Sequence, residues 1–336
     1  MKPLLIVAFL DGRPGHEKQT RGVLAALEKL TAVNVAYRNI GLCSLWGAVR
    51  SRAAYLYASL SKSDRPGPCA RRTARSRTPG KGPAGELPVD LIIGAGSAVH
   101  LPMLFFKQKT GAKTVTCMAP DFSLVREMDL CLVPRHDRLK SGPNVFFTTG
   151  PPCLPAPDGE HDPGKGLILA GGIDKKSHVW RTQTLLSQVQ TIFRKTSGIN
   201  WTLSSSPRTP EDTAAGLERL TSQNENVTFF RSEETRPGWV EKAYAQSDMV
   251  WVTADSISMV FEALSAGCRV GILPVQWKRR SNKFQRSVED LIEKKMVMSY
   301  KGWISGNARL PVAGQFNEAH RCAKEILRRW WPERLP

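Results

Sequence analysis

The sequence predicts an α/β protein made of two doubly wound, parallel-sheet domains facing a cleft. Three observations carry this expectation. Apolar strand-like runs alternate with amphipathic helical stretches in both halves; the alternation is interrupted by the Pro/Gly cluster GPPCLPAPDGEHDPGKG at 150–166; and small-polar turns follow the strand-like runs. A chain of 336 residues, 41% hydrophobic, has room for two domains of ordinary size.

Each element has its own reason. Residues 4–10 form an apolar run of strand length, and 15–30 repeat Val23, Leu24, Leu27 and Leu30 at helical spacing. A strand is expected at 33–37 and a helix-like segment at 42–61. Segment 62–88 is rich in Pro, Gly, Arg and Lys and too poor in large apolar groups to order itself. Strands follow at 89–93, 113–117, 129–133 and 145–147, with a helix at 98–109. The second half restarts with strand 167–170, helix 178–197, strand 200–204, helix 210–222, strand 227–229 and helix 237–246. Within 248–275, DMVWVTADSISMVFEALSAGCRVGILPV, strand Met249–Val252 breaks into a turn, a short helix bearing Glu262, and strand Val270–Pro274. A parallel sheet places such a turn at its carboxyl edge, where helix N-terminal N–H groups attract phosphate and a carboxylate further along can accept the hydroxyls of a ribose. A last helix is expected at 315–331.

Bulk chemistry narrows the partners. The formal charge is +18, so an anionic surface or ligand is expected: phospholipid, sugar nucleotide or nucleic acid. No nucleic-acid module is recognisable, and nucleic acid is set aside. Seven scattered cysteines without a C-x-x-C point to a reducing compartment and to no metal site. The first apolar run is short for a signal peptide, and no run approaches the ~18 apolar residues of a membrane span. The 42–61 segment puts Leu42, Leu45, Trp46, Val49, Ala53, Leu56, Tyr57 and Leu60 near one helical face, consistent with packing on a sheet or with lying in a membrane interface. A chain that is cytoplasmic and peripheral at the inner face of the membrane is expected.

The order small-polar turn, S-x-x-x-E, A-x-x-G and strand ending in Pro resembles the donor-nucleotide half-site of two-domain GT-B glycosyltransferases. It is most similar to the N-acetylglucosaminyltransferase that completes the lipid-linked peptidoglycan precursor. Over about residues 4–320 the chain more closely resembles the elongated-mitochondria family, through DGRPGHEKQT at 11–20, VPRHD at 133–137, SSSPRTP at 204–210 and TADSISMVFEAL at 253–264. The resemblance implies a GT-B-like fold: an acceptor-side domain at 1–150 with the basic insertion 62–88, a donor-nucleotide domain at 151–314, and a terminal helix at 315–336 crossing back onto the first. It also implies a second class of function, because the plant member of the family is a mitochondrial fission factor that recruits a dynamin-like partner.

Six constellations follow. Gly12-Arg13-Pro14-Gly15-His16 after the first strand is either a tight turn with a solvent-facing His or, by the resemblance, an acceptor-side loop whose His16 is the general base. Gly94-Ala95-Gly96-Ser97 permits close backbone approach, and Ser97 can cap the next helix. His136 and Asp137 end another strand as a second candidate base or as a surface turn. Gly171, Gly172, Lys175 and Ser177 offer N–H groups, cations and a hydroxyl for a diphosphate, without matching the P-loop pattern. Arg208 lies near the donor by the resemblance, and Thr209 can cap the helix opened by Pro210. Asp255, Ser256, Ser258 and Glu262 form the nucleotide turn, with Asn282 in a polar segment that loosely resembles the donor-sugar contact.

No D-x-D follows a strand, and position 254 is Ala where retaining relatives carry a second glutamate. The reading is a metal-independent, inverting glycosyltransferase with a nucleotide-diphosphate sugar as co-substrate and no cofactor, acting on a lipid-linked or cell-envelope glycan. A membrane-associated adaptor and a sugar-nucleotide epimerase are the alternatives.

Overall fold

A computed structural model describes residues 1–40, 88–137, 139–154, 160–279, 282–306, 309–312, 314 and 316–336. The expected segment 42–61, and all of the expected segment 62–88 but its last residue, lie outside the described residues. The chain divides into two compact units, Met1–Pro152 with Ala319–Pro336, and Cys153–Glu318.

The first unit contains β1 (Leu4–Leu10), α1 (Pro14–Leu30), β2 (Val33–Asn39), β3 (Leu91–Gly94), α2 (Ser97–Thr110), β4 (Lys113–Thr116), β5 (Leu130–Pro134) and β6 (Val145–Thr148). The strands form one parallel sheet in the order β2-β1-β3-β4-β5-β6. Six of the seven β1 residues are buried, as a central parallel strand covered on both faces requires. α1 starts at Pro14, whose missing N–H is no loss in a first turn, and lays Val23, Leu24 and Leu27 on the sheet. The chain leaves β1 toward β2, then crosses to β3 on the other side. That reversal opens a crevice at the carboxyl ends of β1 and β3.

The second unit contains β7 (Asp162–Leu169), β8 (His178–Val179), α3 (Thr182–Lys195), β9 (Asn200–Ser204), α4 (Glu211–Ser222), β10 (Val227–Phe230), α5 (Trp239–Gln246), β11 (Ser247–Thr253), α6 (Ile257–Ser265), β12 (Arg269–Leu273), β13 (Gln276–Trp277), α7 (Lys283–Glu293), β14 (Met298–Ser299) and α8 (Tyr300–Gly306). The main sheet is parallel, in the order β10-β9-β7-β11-β12-β14, and reverses direction between β7 and β11. Its crevice therefore lies at the carboxyl ends of these two strands. α9 (Glu318–Trp330) runs from the end of this unit into the first, where Cys322, Ala323, Ile326 and Leu327 are buried against β1, β3 and α1 residues.

Three local expectations are corrected. The helix expected from 178 starts at Thr182, because His178 and Val179 pair antiparallel with Trp277 and Gln276 and tie two crevice loops together. Ser97 does not cap α2: the N-cap is Gly96 and no side-chain cap bond forms. Thr209 does not cap α4 either, since its hydroxyl donates to the Gly171 carbonyl and Pro210 is the N-cap. Among the described residues, no helix is long and apolar enough to cross a membrane.

Candidate functional site

The crevice of the first unit is built on Asp11, the residue that follows β1. Its side chain is buried and its Oδ2 lies 2.7 Å from Nδ1 of His16. The other oxygen accepts the Arg13 N–H at 3.1 Å, which fixes the carboxylate in the turn. A carboxylate only accepts, so His16 Nδ1 carries the hydrogen and Nε2 keeps its lone pair. His16 is 23% exposed, which gives that lone pair access to a ligand. Glu17, in the first turn of α1, accepts the Gly12 N–H at 3.2 Å and closes the loop behind it, while Gly15 stands in the open.

The neighbouring strand completes this crevice. Gly96 has φ +106, and a Cβ there would overlap Asp11 Oδ2 and approach His16 Nδ1 to 2.5 Å. Glycine is thus required both by conformation and by space. Gly96→Ala should displace the Asp11–His16 pair and destabilise the protein by about 1–3 kcal/mol, measurable by urea denaturation. Behind the pair lies His100, 1% exposed, with Nε2 3.0 Å from the Thr116 hydroxyl. Thr116 donates its own hydrogen to the Met118 carbonyl, so His100 Nε2 donates and Nδ1 is the bare nitrogen, buried without a partner. Burial lowers the His100 pKa to about 4, with Asp121 and Asp11 opposing the shift and His16 adding to it. His136 and Asp137 sit in a 3₁₀ turn after β5, 3.7 Å apart. Two strands separate β5 from β1, which puts that pair roughly 14 Å away along the sheet edge.

The crevice of the second unit is centred on Asp255, whose side chain is 2% exposed. Oδ2 accepts from Gly172 N–H at 3.1 Å and from Arg208 Nη2 at 3.0 Å, with the Ser256 hydroxyl at 3.3 Å. Arg208 Nη2 also reaches the Ser256 hydroxyl at 3.2 Å. Thr253 Oγ1 accepts the Gly171 N–H at 2.7 Å. The expectation that Gly171 and Gly172 offer their N–H groups to phosphate is therefore corrected: Thr253 and Asp255 hold them, and the glycines are there for space. A Cβ at Gly172 would overlap the Arg208 carbonyl, and one at Gly171 the Asp255 carboxylate. Asp255, expected on the donor, positions Arg208 through Oδ2, and its buried Oδ1 has no hydrogen-bond partner among the described residues. Half of the Arg208 side chain remains exposed.

The other expected donor residues are spread around this centre. Lys175 is exposed on the loop after β7, and its carbonyl accepts Lys278 Nζ at 2.7 Å. Ser177 is buried and its hydroxyl lies 2.7 Å from His178 Nδ1; His178 donates from Nε2 to the Gly172 carbonyl at 3.0 Å, so Ser177 donates to Nδ1 and braces the loop from within. Ser256 is the N-cap of α6, and Ser258 is exposed in its first turn. Glu262 is half-buried in the next turn, close enough to Tyr244 that its charge adds to the burial that raises the phenol pKa. Asn282 caps α7, its Oδ1 accepting the Phe284 N–H at 2.9 Å.

Residues 14–330 match the family described as mitochondrial fission ELM1. The chain belongs to that family. No curated protein matches it. A protein assigned as a UDP-N-acetylglucosamine 2-epimerase from Listeria monocytogenes superposes with TM-score 0.60 at 12% identity, over 97% of this chain and 95% of that one. MnaA of S. aureus, solved with UDP, gives 0.55 at 10% identity over 99% and 98%. MurG of Acinetobacter baumannii gives 0.51 at 12% identity over 97% and 99%. The chain shares the GT-B fold of these proteins.

In this ELM1-family chain, Asp11 is the site residue that sequence reasoning passed over. Its signal was present: an acid directly after an apolar strand and five residues before a histidine, across a Gly-Arg-Pro-Gly turn that brings the two together.

Proposed function

We propose that this chain is a metal-independent, inverting glycosyltransferase using a nucleotide-diphosphate sugar, with a lipid-linked or cell-envelope glycan as acceptor at the cytoplasmic membrane face. The observation that carries the reading is the Asp11–His16 pair: a buried carboxylate orienting an accessible imidazole at a switch-point crevice. His16 Nε2 takes the proton of an acceptor hydroxyl as that oxygen attacks the anomeric carbon. The bond from that carbon to the diphosphate breaks, and the nucleoside diphosphate leaves with the electron pair. Arg208 and Lys175 neutralise the departing charge, and Glu262 receives the ribose hydroxyls. The net charge of +18 supports an anionic membrane surface as the place of action.

A thermal-shift panel of sugar nucleotides tests the reading, since a ligand bound only by the native state raises apparent stability. Glu262→Ala should weaken UDP binding by about 1–3 kcal/mol without altering the circular dichroism spectrum; equal affinities by titration calorimetry would remove Glu262 from the site. One observation favours the non-catalytic adaptor: the Gly171 and Gly172 N–H groups are engaged internally, and Asp255 offsets part of the Arg208 charge. If no sugar nucleotide shifts the melting curve, the adaptor reading replaces the enzyme. Conversion of a sugar nucleotide to its epimer without any acceptor would identify an epimerase.

A further inference from the structure

The second sheet has another cavity, at its opposite end. About 740 Å³ in volume, it opens at the amino ends of β7, β11 and β12, far along the strands from Gly171 and Asp255. Three cations line it, Lys195, Arg269 and Arg309, against one acid, Asp248. Trp303 and Leu310, both buried, form an apolar wall.

Two features show that this end of the sheet is built rather than left over. The pairing of β11 with β7 shifts register between Ser247 and Met249: two steps along β11 are matched by four along β7, so the extra residues of the irregularity lie on β7, opposite Asp248. Its carboxylate accepts Arg269 Nε at 3.2 Å, while Arg269 Nη1 donates to the Leu310 carbonyl at 3.2 Å. The guanidinium is thus held from two sides, and Nη2 carries no bond among the described residues. A fixed guanidinium with one edge available, two further cations and an apolar wall suit an oxyanion attached to an apolar body.

We propose that this cavity binds a small molecule carrying a phosphate on an apolar ring, with Arg269 and Arg309 on the phosphate and Trp303 and Leu310 against the ring. The site is independent of the donor crevice and of the proposed transferase activity. Lys195 closes the last turn of α3 with its Nζ 5.8 Å from the Trp303 ring centre, at the rim where the phosphate would enter.

Phenyl phosphate is the probe, titrated calorimetrically into the full chain beside inorganic phosphate and phenol. Wild type should bind phenyl phosphate more tightly than either fragment. Arg269→Gln and Arg309→Ala should each weaken it about tenfold, the loss of one charged hydrogen bond, and Glu262→Ala should leave it unchanged. Arg309 is exposed, so its variant keeps the test valid should Arg269→Gln fail to fold. The proposal falls if wild type shows no saturable binding, if Arg309→Ala binds as wild type does, or if only Glu262→Ala loses affinity, which would place the probe in the other crevice.

Discussion

His16→Ala should lower turnover in the proposed transfer by about 10²- to 10⁴-fold, the range for a removed general base, and leave donor affinity unchanged. In the proposed reaction the base acts in the transition state, and the proposed donor residues belong to the second unit. Asp11→Asn follows in the same direction. A carboxylate forces the Nδ1–H form of His16, whereas an amide can donate to Nδ1 and select the form with hydrogen on Nε2, which cannot accept a proton. Asp137→Asn is the control, because its 3₁₀ turn lies beyond two intervening strands. Single-turnover rates with the best donor from the thermal-shift panel and a membrane-lipid extract measure all three. Full turnover in His16→Ala with loss in Asp137→Asn would move the base to Asp137 and leave the fold assignment intact.

The second large effect is on stability. His100 has its pKa lowered from 6.5 to about 4 by burial, so between these values the unfolded chain binds a proton that the folded chain does not. Stability from this group is present in full above pH 6.5 and is lost as pH falls toward 4. Between pH 7 and pH 4 the loss amounts to about 3 kcal/mol. Carboxylates held below their ordinary range, such as Asp129 with its Lys107 and Thr114 hydrogen bonds, act in a more acid window and are separable. Urea denaturation of wild type and His100→Leu across this range measures the difference. A wild-type slope equal to that of His100→Leu would mean that His100 titrates normally in the folded protein.

Most of the sheet was legible because parallel strands buried on both faces are written as unbroken apolar runs: LLIVAFL in β1, and Trp251 and Val252 in β11, can hardly be anything else. What escaped was written in mixed or polar residues. α7, KFQRSVEDLIE, buries only Ser287, Val288 and Leu291, and its Asn282 cap reads as a ligand-binding polar segment until the Phe284 N–H is seen on it. β8 and β13 are two residues each and exist because they pair with one another over a long stretch of chain, which no local pattern records. The site shows the same divide. Motif position singled out His16, Arg208 and Glu262 as candidates. The partners that orient or occupy them, Asp11 for His16 and Asp255 for Arg208, depend on how turns fold back, which motif position does not record.

α9 gives the chain a particular order of birth. Cys322, Ala323, Ile326 and Leu327 fill the face of the first sheet that α1 also covers, with Trp330, Trp331 and Leu335 packed alongside. A ribosome delivers that sheet early and its last wall only after the whole second unit has emerged. Until then the part of that apolar face not covered by α1 lacks its partner, so the amino-terminal half is expected to become resistant to protease only once α9 has been made.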